Sequence, residues 1–182
     1  MEQKILNRSN CLKSRRCNKG DDYMTLFNTG SVFLQQGNFE EALSYFQDAA
    51  RQGPDIEEPY LASGQVYERM GRFGSAKQMY RLVLEINPGS IEALIRTAHI
   101  LEREGDYHQA VRVFQTAIEI NPQAVPPRLG LALLYDHYDM FDEAKEAYEA
   151  LLEQEPFHPA ARVNLDRLLF QLGEYPGATG ML

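Results

Sequence analysis

Apolar side chains recur every three to four residues along most of the chain, in segments about a dozen residues long separated by short polar turns. In one such segment, Leu94, Ala98 and Leu101 follow this spacing, which places them on one face of a helix. A second apolar series opens after Tyr107 and stops at Pro122, which cannot continue a helix easily. The pattern therefore predicts a pair of helices, each with one buried face.

This two-helix pattern occurs four times at a constant spacing of 34 residues, without insertion or deletion. Residues 105–122, "GDYHQAVRVFQTAIEINP", correspond position by position to residues 37–54, 71–88 and 139–156. A single helical hairpin cannot bury both of its apolar faces, so repeated hairpins are expected to stack in sequence order. The predicted repeats are 23–56, 57–90, 91–124 and 125–158, followed by a capping helix at 159–175.

Particular residue types recur at fixed places in each copy. Glycine follows the first helix at Gly37, Gly71 and Gly105, because glycine adopts the left-handed conformation of a helix C-terminus at little cost. Asp139 holds that place in the fourth copy, and we expect backbone strain there. Each second helix places an aromatic four residues after an alanine, and these pairs are Ala42 and Phe46, Ala76 and Tyr80, Ala110 and Phe114, and Ala144 and Tyr148.

This order of small, aromatic, glycine, alanine, aromatic and proline residues resembles the tetratricopeptide repeat. The resemblance covers residues 23–158 as four copies, and residues 159–173 continue the register. It implies an all-α, right-handed α-solenoid of four helix-turn-helix hairpins plus a C-terminal capping helix, with first helices on the concave side. Arg128, Arg162 and Leu151 depart from the pattern, so looser packing is expected at the C-terminal end.

The resemblance also implies which first-helix positions line a concave groove. One apolar row either grips a peptide or seals the seam between neighbouring first helices, and both interpretations stay open. Its members in the four repeats are Phe27, Leu61, Ile95 and Leu129, and Val163 continues it. Polar residues that would set the register of a ligand are Gln65, Arg69, His99, Arg103 and Asp136. Because most charged groove positions are acidic, a ligand with Lys or Arg beside apolar anchors is favoured.

Charge is distributed unevenly along the 182 residues. The chain has a net charge of −8, yet residues 1–20 carry +5, so the remainder carries −13. An acidic body repels phosphate, which argues against nucleic-acid binding by the repeat domain, residues 23–182. Residues 1–22 are basic, polar and without periodicity, which predicts a disordered tail.

Cysteine usage and hydropathy suggest a location. Cys11 and Cys17 both lie in the basic tail, so the repeats use no disulfide. No apolar run approaches the roughly 20 residues of a membrane span, and the N-terminus lacks the apolar stretch of a secretory signal. We therefore expect a cytoplasmic protein without a membrane span.

Candidate catalytic chemistry is sparse. His99, Glu102 and His137 could converge on a metal, but surface histidines on a polar helix face are far more common, and we predict no metal site. The chain contains no phosphate-binding glycine loop and no nucleophile elbow. The repeats account for almost all residues after 22, so we expect no enzyme activity and no cofactor.

The sequence therefore predicts a non-enzymatic scaffold or adaptor that binds a protein or peptide, such as a partner helix, in its groove. Two alternatives remain. One is a dedicated chaperone or assembly factor for a single client subunit. The other is a regulatory module that associates with itself or with a partner through its convex face or its end. The identity of the partner and the oligomeric state are not encoded in any motif.

Overall fold

The computed structural model describes residues 22–173, and nine α-helices with no β-strand make up the ordered elements of that range. The prediction of an all-α fold is confirmed. The predicted tail lies outside the described residues apart from Asp22, as do residues 174–175 of the predicted capping helix. The helices are α1 (Tyr23–Gln35), α2 (Phe39–Gln52), α3 (Glu58–Arg69), α4 (Phe73–Ile86), α5 (Ile91–Arg103), α6 (Tyr107–Ile120), α7 (Val125–His137), α8 (Phe141–Gln154) and α9 (Pro159–Leu172).

The turn between the two helices of each hairpin has the same backbone conformation four times. Gly37, Gly71 and Gly105 have φ of 78°, 72° and 79°, and Asp139 has φ of 57°. The residue after each of them donates its N–H to a carbonyl five positions earlier, as Asn38 does to Phe33 at 2.9 Å and Met140 to Tyr135 at 2.9 Å. This bond closes the end of the first helix. The expected strained aspartate is confirmed by its positive φ.

The helices form two compact units, whose described parts are residues 22–82 and 83–173. In the first unit, α1 packs on α2, α2 packs on α3, and α1 also touches α3. The buried cluster consists of Ala42, Leu43, Phe46 and Val66. A Cβ atom added at Gly30 would lie 2.8 Å from the Phe46 ring. The small residue of the first helix therefore makes room for the aromatic residue of the second within the same hairpin.

In the second unit, α5 packs on α6, α6 on α7, α7 on α8 and α8 on α9, while α5 also touches α7. Consecutive hairpins thus stack in sequence order within this unit. Two buried clusters hold it together, and each draws residues from successive hairpins. The first cluster is Ala98, Leu101, Ala110, Phe114, Leu131 and Leu134, and the second is Ala132, Ala144, Tyr148, Leu151, Ala161 and Leu168.

Arg128, Leu151 and Arg162 depart from the repeat pattern, but the core is not more loosely packed at these positions, contrary to expectation. Leu151 is fully buried in the second cluster, against Tyr148 and Leu168. Arg128 turns its guanidinium back to the Pro122 carbonyl, which accepts bonds of 3.1 Å from Nε and 2.9 Å from Nη2. Arg162 lies exposed on α9. These residues are accommodated because one fills volume and the others reach solvent.

Candidate functional site

The predicted groove residues of the first unit lie on α1 and α3. Phe27 is half-buried, stacks on Tyr23 with ring centroids 6.1 Å apart, and lies 5.5 Å from the Phe46 ring. Leu61 and Gln65 are also half-buried, and Arg69 is exposed. Phe27 therefore contributes to the packing of this unit while keeping one edge at the surface.

The apolar row continues in the second unit with a change of surroundings. Ile95 and Leu129 are half-buried and pack against the two buried clusters. Val163, which holds the same register position on α9, is 67% exposed. Within this unit, the same row therefore supports packing on α5 and α7 and forms open surface on α9.

The predicted polar residues His99 and Arg103 lie beside an open pocket of about 530 Å³ at the C-terminal ends of α5 and α7. Glu102 and His137 complete its lining. His99 Nδ1 lies 3.4 Å from Glu102 Oε2, and the His99 ring meets the Phe114 ring edge-on with centroids 5.4 Å apart. Across the part of the chain that the structure describes, no group of three or more His, Cys, Asp or Glu side chains is arranged to hold a metal ion.

Asp136 has partners that the sequence pattern did not indicate. Its carboxylate pairs with the Arg167 guanidinium of α9, and its side chain is only 10% exposed. The hydroxyl of Tyr148 on α8 donates to the same oxygen at 3.5 Å. Burial raises the pKa of Tyr148, and the negative charge of Asp136 raises it further. Asp136 thus joins three helices. The sequence did not indicate that Arg167 pairs with Asp136, because the two residues are 31 positions apart and lie on different helices.

Large exposed apolar side chains lie one helical turn from the members of this ion pair along α7 and α9. Leu133 is 41% exposed and lies one turn before Asp136 on α7. Val163 and Phe170, the latter 76% exposed, lie one turn before and one turn after Arg167 on α9. We call Leu133, Asp136, Val163, Arg167 and Phe170 the α7–α9 patch. Phe170 was not among the predicted residues, although it holds the register position of Asp136, 34 residues later.

Comparison with protein families identifies the repeat. The family model described as tetratricopeptide repeat matches residues 33–100 and 101–157. The chain belongs to the tetratricopeptide repeat family. A search of curated proteins finds no match to it.

Solved tetratricopeptide repeat structures share the fold at low identity. A tetratricopeptide repeat protein from Parabacteroides merdae is 23% identical, with a TM-score of 0.75, and the alignment covers 92% of this chain but 64% of that one. MamA from Desulfovibrio magneticus is 22% identical, with a TM-score of 0.72 and 89% and 92% of the two chains covered. YrrB, described as a TPR protein with an unusual peptide-binding site, is 20% identical, with a TM-score of 0.65 and 87% and 81% covered.

In tetratricopeptide repeat terms, the α7–α9 patch occupies first-helix positions of the fourth repeat and of the helix after it. Among residues 22–173, no helix combines the length and apolar character needed to cross a membrane.

Proposed function

We propose that this chain is a protein-interaction module that binds a peptide or a helix of a partner protein on the surface of its first helices. The observation that carries the proposal is the α7–α9 patch. Large exposed apolar side chains grouped around a charged pair are typical of sites that bind protein segments. We further propose that the module is non-catalytic and acts in the cytoplasm as a scaffold or adaptor.

The patch offers both kinds of contact that a peptide site needs. Phe170, Val163 and Leu133 supply apolar area, and fully burying one such side chain contributes about 1.5–3 kcal/mol. Arg167, whose side chain is 46% exposed, presents a charged group that can bond to polar groups of the ligand, and the largely buried Asp136 holds it in place. A micromolar complex corresponds to about −8 kcal/mol, so a few apolar anchors with polar contacts suffice.

Neighbouring positions extend the proposed surface within the second unit. Ile95 and Leu129 expose an edge beside the buried clusters, and His99 and Arg103 stand at the open pocket. These side chains would fix the register of the ligand. In the first unit, we propose Phe27, Leu61, Gln65 and Arg69 as the corresponding surface. The description of YrrB as having a peptide-binding site supports this general activity for the fold.

A matched pair of phenylalanines tests the proposal. Phe157 is 83% exposed in the turn before α9, outside the patch, and Phe170 is 76% exposed within it. Proteins retained from native lysate by the wild type should be lost with Phe170→Ala and Val163→Asp and kept with Phe157→Ala. Each variant should show an unchanged helical circular dichroism spectrum. Equal retention by all three would place the interface elsewhere and reject the α7–α9 patch.

Self-association is the alternative that the exposed surface of α9 favours, because the same apolar residues could bury each other in a pair of chains. Sedimentation of the purified protein over a range of concentrations distinguishes the two functions. A concentration-dependent dimer that Val163→Asp dissolves would support self-association. A monomer at all concentrations would leave the patch available to a partner of different sequence.

A further inference from the structure

A second pocket lies on the second helices of the second unit. It is an open cavity of about 570 Å³ between the N-terminal parts of α6 and α8, with Tyr135 of α7 at its base. Apolar and aromatic side chains make up most of its wall. The lining residues are Tyr107, His108, Val111, Arg112, Tyr135, Met140 and Glu143. None of them belongs to the α7–α9 patch, so the proposed function does not explain this pocket.

The floor of the pocket is held in place by its own contacts. The Tyr107 ring packs against Tyr138 with centroids 4.7 Å apart, and its hydroxyl donates to the Met140 sulfur. His108 meets the Tyr107 ring edge-on at 5.4 Å. A floor fixed in this way loses little conformational freedom when a ligand side chain enters.

The α8 wall of the pocket contributes one carboxylate, Glu143, which lines the cavity together with Tyr107 and Tyr135. Burial raises the pKa of both phenols, and the charge of Glu143 raises each further. Along α8 and the residues that flank it, from Asp139 to Glu155, Glu143 and six further acidic residues are all exposed, against a single half-buried base, Lys145. A surface of one sign attracts a ligand of the opposite sign and orients it.

We propose that this second-helix pocket docks a basic amphipathic segment of a partner protein. One apolar side chain of the segment enters between Tyr107, Val111 and Met140. Its Lys or Arg residues lie along the acidic surface of α8. Arg112 and His108 stand on the α6 wall, so the cationic side of the ligand is directed toward α8. The pocket would give the module a second contact that is independent of the α7–α9 patch.

The test uses the full chain and a fluorescein-labelled synthetic peptide of repeated Lys-Leu-Ala-Lys units, with binding followed by fluorescence anisotropy. Glu143→Arg changes the charge at the pocket, and Glu149→Arg makes the same change on the same helix outside it. We expect Glu143→Arg to weaken binding roughly tenfold more than Glu149→Arg does, because only Glu143 borders the anchoring cavity. Equal effects of the two variants would mean that the peptide binds by general charge attraction to α8 and not at the pocket, which would overturn the proposal.

A second variant tests the apolar wall without disturbing the helix. Met140 holds the N-cap position of α8, where serine is favoured, so Met140→Ser removes the wall and keeps the helix start. Binding of the same peptide should weaken several-fold, and Phe157→Ala, a change at an exposed residue outside both surfaces, should leave it unchanged. Amide shifts in a heteronuclear NMR titration should centre on Tyr107, Val111 and Met140. Shifts centred on Leu133, Val163 and Phe170 would assign the peptide to the α7–α9 patch, which would reject this pocket and support the proposed function.

Discussion

Helices α7 and α9 hold the same place in successive hairpins, yet α7 buries more of its surface than α9 does. Ala132 of α7 is fully buried, whereas Asp166, its counterpart 34 residues later, is exposed. Leu129 is half-buried and packs against the second cluster, whereas its counterpart Val163 is 67% exposed. The two helices share a register and differ in their surroundings.

The difference arises from the neighbours of each helix. α7 packs between the second helices α6 and α8, whereas α9 packs on α8 and has no second helix after it among the described residues. In a stacked repeat, each position is buried by the adjacent hairpin, so identical positions become core or surface according to the helix packed next to them. The surface freed on α9 is the one that carries the largest exposed apolar residues.

The largest effect is expected from exchanging the residues at this shared position. Ala132→Asp gives α7 the aspartate that α9 carries at the matching position, Asp166. The new carboxylate would be buried without an ionic partner in the cluster that contains Tyr148. We expect the free energy of unfolding to fall by about 3–5 kcal/mol. Urea denaturation followed by circular dichroism measures it. The reverse change, Asp166→Ala, should alter stability by less than about 0.5 kcal/mol. Similar losses for both would mean that the outer face of α9 is covered.

Two residues of α9 sharpen the comparison within a single helix. Leu168 is fully buried in the second cluster, and Phe170 is largely exposed. Leu168→Ala should cost about 2–3 kcal/mol, toward the lower part of the range for such truncations, because among the described residues α9 packs mainly on one helix, α8, and can relax around the cavity. Phe170→Ala should cost less than about 0.5 kcal/mol. A larger loss for Phe170→Ala in the same denaturation experiment would show that its ring is buried in solution.

The buried phenol beneath both helices predicts a dependence on pH. The folded state raises the pKa of Tyr148 above its ordinary value of 10.0, first through burial and then through the charge of Asp136. At a pH between the pKa of the unfolded chain and the higher pKa of the folded protein, Tyr148 is protonated in the folded state and deprotonated in the unfolded state. Stability from this group is fully present below pH 10 and falls above it, by at most about 1.4 kcal/mol per pH unit. Tyr148→Phe should remove this part of the decline, and parallel curves for the two proteins would contradict it.

The turns that end α7 and α9 use different residues in the same left-handed conformation. Asp139 has φ of 57° and Gly173 has φ of 71°. Asp139→Gly relieves the cost of a side chain in that conformation and should raise stability by about 0.5–1 kcal/mol. Asp139→Ala is the control, because it removes the carboxylate and keeps the strain. An equal gain from alanine would trace the effect to charge.

The sequence accounts for much of the fold because its signals are local. Gly37 and Pro54 bound a second helix by their own backbone restrictions, and Gly30 leaves space for Phe46 within one hairpin. The pairing of Asp136 with Arg167 could not be predicted, since it depends on the rotation of α9 against α7. The exposure of Phe170 likewise depends on which helix packs beside α9. The repeat pattern therefore predicts how the helices of a hairpin pack, but it does not predict which side chains pair or stay exposed on the surface.

The smallest effect concerns the ion pair that joins the two helices. Asp136 is largely buried, but the Arg167 side chain is 46% exposed, so water and salt reach the pair from the arginine side. A double-mutant cycle with Asp136→Asn and Arg167→Gln should therefore give a coupling of roughly 0.5 kcal/mol that shrinks in high salt. If the coupling is weak, the ion pair can break at little cost and its charged groups can bond to a ligand instead. A binding site beside Val163 and Phe170 that uses these charges requires such a weak pair. A coupling above about 2 kcal/mol that resists salt would instead make the pair a structural bond. Asp136 would then serve to fix α9 to α7, and ligand recognition at the α7–α9 patch would depend on its apolar side chains alone.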